Sequence, residues 1–408
     1  MLANATKEPG RPRTRATDAP AVGIAGSGAV SAAGDGVPAT LESFRTGRVN
    51  PAKVLPFESS INCPTFQVAA ELPGIAPPAG GSRTVRLMMH ALLEATVESD
   101  MDDLSDVRVG VCLGTTVASQ LNNVPFYEAY RSTKHPPLDA VHEYLAANLA
   151  SAVGDVCDWQ GPRLTVVNAC SSGTDAIGIA ATWIRAGLCD VAIAGGADEL
   201  NRVAMAGFWS LGVMSSQLCR PFDRDRAGLN LGEGAGVVIL ESAAHAARRG
   251  KTHAFEIAGF GSACDAHHLT APHPEGRGLQ AAIRAALTQA NITPGQVAFI
   301  NAHGTATLDN DRAESTVIEK LFGTGTPFLS TKGFTGHTLG AAGGLEAVFT
   351  VLGLREQWIP ASAGFEHRDD ALPLAPVRER TPITGEYALS TSLAFGGNNA
   401  AVLIRRRS

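Results

Sequence analysis

Apolar positions along the chain follow two alternating patterns. Short runs rich in Val, Ile, Leu and Ala predict strands at 21–26, 107–113, 164–167, 190–195 and 237–240. A second set follows at 254–259, 297–301, 328–330, 387–391 and 400–404. Between them, apolar residues recur every three or four positions and predict helices at 84–98, 242–249, 278–290 and 338–354. Another helix follows residue 170, with Ile177, Ala180, Ala181 and Ile184 on one face and Gly187 as its stop. The stretch to about residue 81 is turn-rich, and 119–153 mixes loop and helix, broken by Pro136 and Pro137. Strands alternating with helices predict an α/β fold, its largely parallel sheets buried between helical layers. The second half repeats the rhythm of the first, which implies an internal duplication without a residue-by-residue repeat. The expected organisation is a disordered tail over 1–20, one half over 21–250 and a second over 251–408.

Composition narrows the function classes. The 408 residues include 44 glycines and only 6% aromatics, as expected of tightly packed layers with small residues where elements cross. A net charge of -6 and basic clusters only at 248–251 and 405–407 speak against nucleic-acid binding. The seven cysteines are dispersed and form no Cys-x-x-Cys pair, which suits a reducing compartment and neither a disulfide framework nor a zinc ribbon. No apolar run approaches the ~18 residues of a membrane span. The first residues are polar and rich in Pro and Arg, without the apolar core of a secretory signal. A cytoplasmic protein is expected.

Three strand ends carry residues able to do chemistry. Val166-Val167-Asn168-Ala169-Cys170-Ser171-Ser172-Gly173 runs a strand into a cysteine that opens a small-residue helix. Unpaired N–H groups and the macrodipole there favour a thiolate, with a pKa lowered into roughly 3.5–7.5. The alternative is a buried structural thiol. The second segment is Ile300-Asn301-Ala302-His303-Gly304-Thr305-Ala306-Thr307, and the third is Ser330-Thr331-Lys332-Gly333-Phe334-Thr335-Gly336-His337. Chemistry in open α/β folds collects beyond the carboxyl ends of strands, so three such segments weigh more together than any one histidine. Rival motifs fail. Gly26-Ser27-Gly28 has Ser31 where a dinucleotide turn needs its third glycine, and no Walker A pattern exists. Asp265, His267, His268 and His273 resemble a metal cluster, but adjacent histidines diverge and no His-Glu-x-x-His helix supports them. No metal is expected.

Together these segments resemble the active-site motifs of the elongating β-ketoacyl-acyl-carrier-protein synthases, condensing enzymes of the thiolase-like superfamily. The likeness extends from about Val22 to Ile404. It includes Pro221-Phe222-Asp223-Arg224-Asp225-Arg226, Gly232-Glu233-Gly234-Ala235-Gly236, Asp265-Ala266-His267-His268-Leu269-Thr270 and Phe395-Gly396-Gly397-Asn398-Asn399. Cys, His, His in this order separates the elongating type from initiating synthases, which use Asn third, and from thiolases, which use a second Cys.

The resemblance implies a duplicated thiolase-like fold, two mixed β-sheets layered between α-helices (αβαβα). It implies that Cys170 carries the acyl group, with its N–H and that of Phe395 as oxyanion hole. His303 and His337 would stabilise the enolate of a decarboxylating malonyl thioester, producing a β-ketoacyl chain two carbons longer. Lys332 would pair with Glu314, with Asp311 beside it, and Phe395 would gate the acyl chain. Thr305 and Thr307 would hold a phosphopantetheine arm delivered on an acyl carrier protein, with no other cofactor bound. Homodimers, or heterodimers with a chain-length-factor homologue, are expected, and Arg131 and Lys134 are candidate carrier-docking residues. Three departures stand out: Ala394 and Asn398 in the usual Gly-Phe-Gly-Gly-Thr-Asn loop, and Gly333 where serine is usual. They point to a specialised polyketide or polyene synthase over a housekeeping one. A non-catalytic chain-length factor is a rival reading that the intact Cys170, His303 and His337 oppose. A Cys–His hydrolase on another fold would leave the Lys332–His337 segment without a role.

Overall fold

A computed structural model of the chain describes residues 21–407 apart from 53–54, 75–81, 102–103, 118–123, 137, 140 and 142–147. The tail expected over 1–20 and parts of the mixed stretch 119–153 lie outside the described residues. Strands β1 (Val22–Ser31), β2 (Val109–Gly114), β3 (Arg163–Val166), β4 (Val191–Asp198) and β5 (Gly234–Ser242) lie in the order β3-β2-β4-β5-β1. Strands β6 (Phe255–Cys264), β7 (Val297–Asn301), β8 (Phe328–Leu329), β9 (Tyr387–Leu393) and β10 (Asn398–Arg406) lie in the order β8-β7-β9-β10-β6.

Counted from the first strand of each set, both orders are the same. The strand senses repeat as well. In the first set β3–β2 and β2–β4 are parallel while β4–β5 and β5–β1 are antiparallel. In the second, β8–β7 and β7–β9 are parallel while β9–β10 and β10–β6 are antiparallel. The duplication implied by the sequence rhythm is therefore written in topology, where residue identity had not preserved it. The two sets meet at Gly23–Glu256 and Ile24–Phe255, a short ladder through which the two expected sheets share an edge.

Seven of the helices among the described residues form the layers and carry the site: α1 (Arg83–Ser99), α2 (Leu149–Val156), α3 (Ser172–Arg185), α4 (Arg202–Ser210), α5 (Arg277–Ala290), α6 (Leu308–Phe322) and α7 (Ala342–Glu356). Helix α1 covers β1, β4 and β5, and α2 lies beside β2 and β3. On the far side α5 covers β6 and β10, with α6 against it. Its stripe of Leu279, Ala282, Ile283, Ala286 and Leu287 is the buried face predicted from spacing. Helices α3 and α7 lie between the two strand sets and touch strands of both, completing five layers. Helix α7 is buried from Ala342 to Leu354, so it has no polar face. Glycines let these central elements approach. A Cβ on Gly173 would stand 2.7 Å from the Gly344 nitrogen and 2.8 Å from the Gly340 carbonyl oxygen, and one on Gly236 would collide with the Leu345 backbone.

Candidate active site

Cys170 sits at a sharp turn between β3 and α3. Ala169 takes φ 50, a left-handed conformation rare for a residue with a Cβ. Hydrogen bonds hold it there: the Asn168 N–H donates to Ser172 Oγ (2.8 Å), and Ser171 Oγ and Asn168 Nδ2 both donate to Asp175 Oδ2 (2.8 Å each). The turn presents the thiol at the start of α3, as the sequence predicts. Its charge state differs from that expectation. Burial pushes the Cys170 thiol up to about 12, against the opposing pull of the Lys332 charge and the Phe395 N–H at the sulfur. Taking the thiolate out of water outweighs both, so the neutral thiol is the resting form.

From the second strand set, His303 follows β7, and Lys332 and His337 follow β8. One ligating atom from each of Cys170, His303 and His337 lies within 4.8 Å of the others, and the two imidazole rings are edge-on at 5.2 Å. Both imidazoles are held well below their ordinary pKa, by burial first and then by the Lys332 charge. Their hydrogen bonds fix which nitrogen carries the proton. Lys332 Nζ can only donate, and it lies 3.1 Å from His303 Nδ1. The Leu339 N–H donates to His337 Nδ1 at 3.1 Å. With both Nδ1 atoms accepting, each neutral ring carries its proton on Nε2. A Cys-His-His trio at this spacing could otherwise ligate a metal, but a protonated Nε2 offers no lone pair and a buried cation stands alongside.

The expected Lys332–Glu314 pair is replaced by another. Lys332 Nζ bonds Glu346 Oε1, from the second turn of α7. Burial raises the Glu346 carboxyl to about 7, with Lys332 acting in the opposite sense. Glu314 is committed elsewhere. Its two oxygens accept the N–H groups of His303 (2.7 Å) and Gly304 (2.8 Å), and Thr391 Oγ1 donates to it at 2.7 Å. It therefore shapes the backbone carrying His303. Asp311 does the same one turn earlier, accepting the Phe222 N–H (2.7 Å) and the Ala306 N–H (3.2 Å), with Arg226 Nε 3.8 Å away.

A cavity of about 290 Å³ opens onto Cys170, His303 and His337, and Thr305 and Thr307 line it with their hydroxyls 2.9 Å apart. Phe395, after β9, stacks on Phe208 of α4 with ring centroids 5.3 Å apart. Arg131 and Lys134 are exposed and absent from the cavity lining. The Asp265 carboxylate accepts the N–H groups of His273 (2.9 Å) and Gly278 (2.7 Å), which separates it from the suspected histidine cluster.

The departures near Phe395 fit the local backbone. Ala394 is extended (φ -130, ψ 154), so its methyl is unstrained in this state. Asn398 Nδ2 reaches the Phe395 carbonyl at 3.4 Å. A Cβ on Gly333 would collide with the Ala363 carbonyl oxygen, so Ala363 occupies the place of a serine side chain.

Two residues of the site, Glu346 and Phe208, carry no motif in the sequence analysis. Glu346 had a signal, being a lone acid inside an otherwise apolar helix, where a charge needs a partner. Phe208, stacked on Phe395, had none, because its role depends on contacts across the fold.

Residues 22–246 match the family model described as the β-ketoacyl synthase N-terminal domain, and 254–366 match that of its C-terminal domain. The 3-oxoacyl-acyl-carrier-protein synthase 2 of Coxiella burnetii is 32% identical over 408 residues, covering 94% of this chain and 98% of the relative. The enzyme of the same name from Vibrio cholerae is 38% identical over 260 residues, 60% of this chain and 63% of that one, so this match spans less than two thirds of the relative. Among solved structures, a chain of the Xenorhabdus doucetiae ketosynthase in complex with its chain length factor superposes with a TM-score of 0.82 at 32% identity, covering 98% of this chain and 100% of that one.

Proposed function

The chain belongs to the β-ketoacyl synthase family, and we propose that it condenses a malonyl thioester with an acyl group held on Cys170. The observation that carries this reading is the donor pattern at the two histidines. Two neutral imidazoles with Nε2–H groups beside a buried thiol are arranged to stabilise negative charge on an oxygen, where a general base would need a free nitrogen.

Acyl transfer comes first. The Cys170 thiol attacks the acyl thioester of an acyl carrier protein; the acyl–sulfur bond to the carrier breaks, and the carrier thiol takes up the proton. The Cys170 and Phe395 N–H groups receive the oxyanion of the tetrahedral intermediate. Ionisation of a thiol resting near 12 is coupled to this attack, as the start of α3 and the Lys332 charge stabilise developing thiolate.

Malonyl carrier protein enters next, its phosphopantetheine arm held by Thr305 and Thr307. Its carboxylate leaves as CO2, and the electron pair moves onto the thioester oxygen between the His303 and His337 Nε2–H groups. The enolate carbon attacks the acyl carbonyl, the Cys170 sulfur leaves as thiolate and takes a proton from solvent to regain the resting thiol, and a β-ketoacyl thioester two carbons longer remains on the carrier. Lys332 acts through His303: it holds Nδ1 as an acceptor and so keeps the proton on Nε2.

The decisive experiment incubates the purified protein with a panel of acyl carrier thioesters and malonyl carrier protein, read by intact-protein and product mass. An acyl adduct on Cys170 and a product longer by two carbons are expected. A folded protein that forms no adduct with any donor, alone or with a partner, rules the reading out.

A second reading concerns the partner. The similarity to a ketosynthase solved with its chain length factor supports pairing with a cysteine-less homologue in a specialised polyketide or polyene pathway. Adduct formation only in that heterodimer is the result expected of it. A cytoplasmic setting agrees with a helix set in which no described helix is long and apolar enough to cross a membrane.

A further inference from the structure

Asp198 ends β4, has no exposed surface and belongs to none of the roles above. Its carboxylate joins three backbone segments. It accepts Thr115 Oγ1 (2.7 Å), the Thr116 N–H (2.9 Å) and Thr116 Oγ1 (2.9 Å) from the loop after β2. From the turn after His337 it accepts the Gly340 N–H at 2.7 Å. That contact joins the end of β4 to the turn that follows His337.

The residue before Gly340 is the one that sets the His337 ring. Leu339 donates its N–H to His337 Nδ1 and does so from φ 56, a left-handed conformation costly for a branched side chain. Something must hold it there. The Asp198 carboxylate grips the next N–H, and a charged acceptor makes the stronger hydrogen bond. The turn is also pressed against its neighbours, since a Cβ on Gly340 would lie 2.7 Å from Thr115 Cα and 2.8 Å from Asp198 Oδ2.

We propose that Asp198 is a positioning residue: by pinning the Gly340 N–H it keeps Leu339 left-handed, and so keeps His337 in the tautomer that donates from Nε2. The link to rate rests on the reading of His337 as a donor to the substrate thioester; the link to tautomer does not. Asp198→Asn loses the charge that grips Gly340, and Asp198→Glu moves it by one methylene. Either releases the Gly340 N–H, so that Leu339 relaxes from its left-handed φ and the Thr338–Leu339 peptide turns its N–H away from His337 Nδ1.

The test uses the full chain with 15N-labelled histidine. In Asp198→Asn, His337 is expected to show a mixture of Nδ1–H and Nε2–H forms where the parent shows Nε2–H alone. The kcat for malonyl decarboxylation is expected to fall by about tenfold with KM and Cys170 acylation within about twofold. Adding Leu339→Gly, which reaches positive φ without strain, is expected to restore a single Nε2–H form and part of the lost rate. A single Nε2–H form in Asp198→Asn overturns the proposal, as does a mixture that Leu339→Gly leaves unchanged. Should Asp198→Asn fail to fold, Asp198→Glu carries the same two readouts. A parent protein with neither acylation nor decarboxylation sinks the condensation reading, while the nitrogen spectra still decide the tautomer question.

Discussion

Lys332 is held by one carboxylate and one ring nitrogen, and both Lys332 and Glu346 are buried. Breaking a buried pair by removing one partner leaves an uncompensated charge, typically costing about 3–5 kcal/mol. Lys332→Met is expected to lose stability on that scale in urea titrations, and Lys332→Met with Glu346→Gln to recover a large part of it. A double variant as unstable as the sum of the two single ones would contradict a direct pair. The histidines give a pH prediction. Burial and the Lys332 charge both disfavour imidazolium, so the folded pKa lies below the ordinary value and the neutral ring persists as pH falls. Nitrogen-15 spectra of His303 and His337 are therefore expected to stay unchanged between about pH 5.5 and 8. A midpoint near the ordinary histidine value in either ring would refute the assigned donor state.

At the scale of elements, the site depends on how closely α3 and α7 cross. Gly173→Ala inserts a methyl 2.7 Å from the Gly344 nitrogen, with no side chain there able to turn aside. Overpacking of this kind costs about 1–3 kcal/mol, and because Cys170 and His337 ride on opposite sides of the crossing, decarboxylative condensation is expected to fall more than stability alone explains. Unchanged kinetics in a destabilised Gly173→Ala would separate the crossing from the chemistry. Strands and their carboxyl-end residues were legible in the sequence, since β-branched runs stop at glycine and polar residues there. The order of strands was not, as pairing partners up to about 230 residues apart, such as β1 with β6, leave no local pattern. The partner of Lys332 was misread for a related reason. The family resemblance implies Glu314 as its partner, whereas Glu346, 14 residues after Lys332, reaches it only once α7 packs against the Lys332 turn.

At the scale of the molecule, the outer edge of β3 has no partner strand among the described residues. Leu164 is 41% exposed and Val167 61% exposed beside it. An unpaired edge with apolar neighbours invites a second strand, from another copy or from a homologue. Sedimentation is expected to show a dimer that Leu164→Lys with Val167→Lys converts to a monomer; a parent chain already monomeric, with or without a homologue, would leave that edge without a role. The repeated topology has a consequence of its own. The first strand set contributes the sulfur and the second both imidazoles, and the polypeptide passes between them through an exposed turn at Gly250, where φ is 68 and nothing crowds the backbone. Severed there, neither fragment would hold a competent centre, and turnover would return only on reassociation. On the proposed function the chain would act as a split enzyme that happens to be covalently joined, its activity a direct report on whether the two pieces have docked.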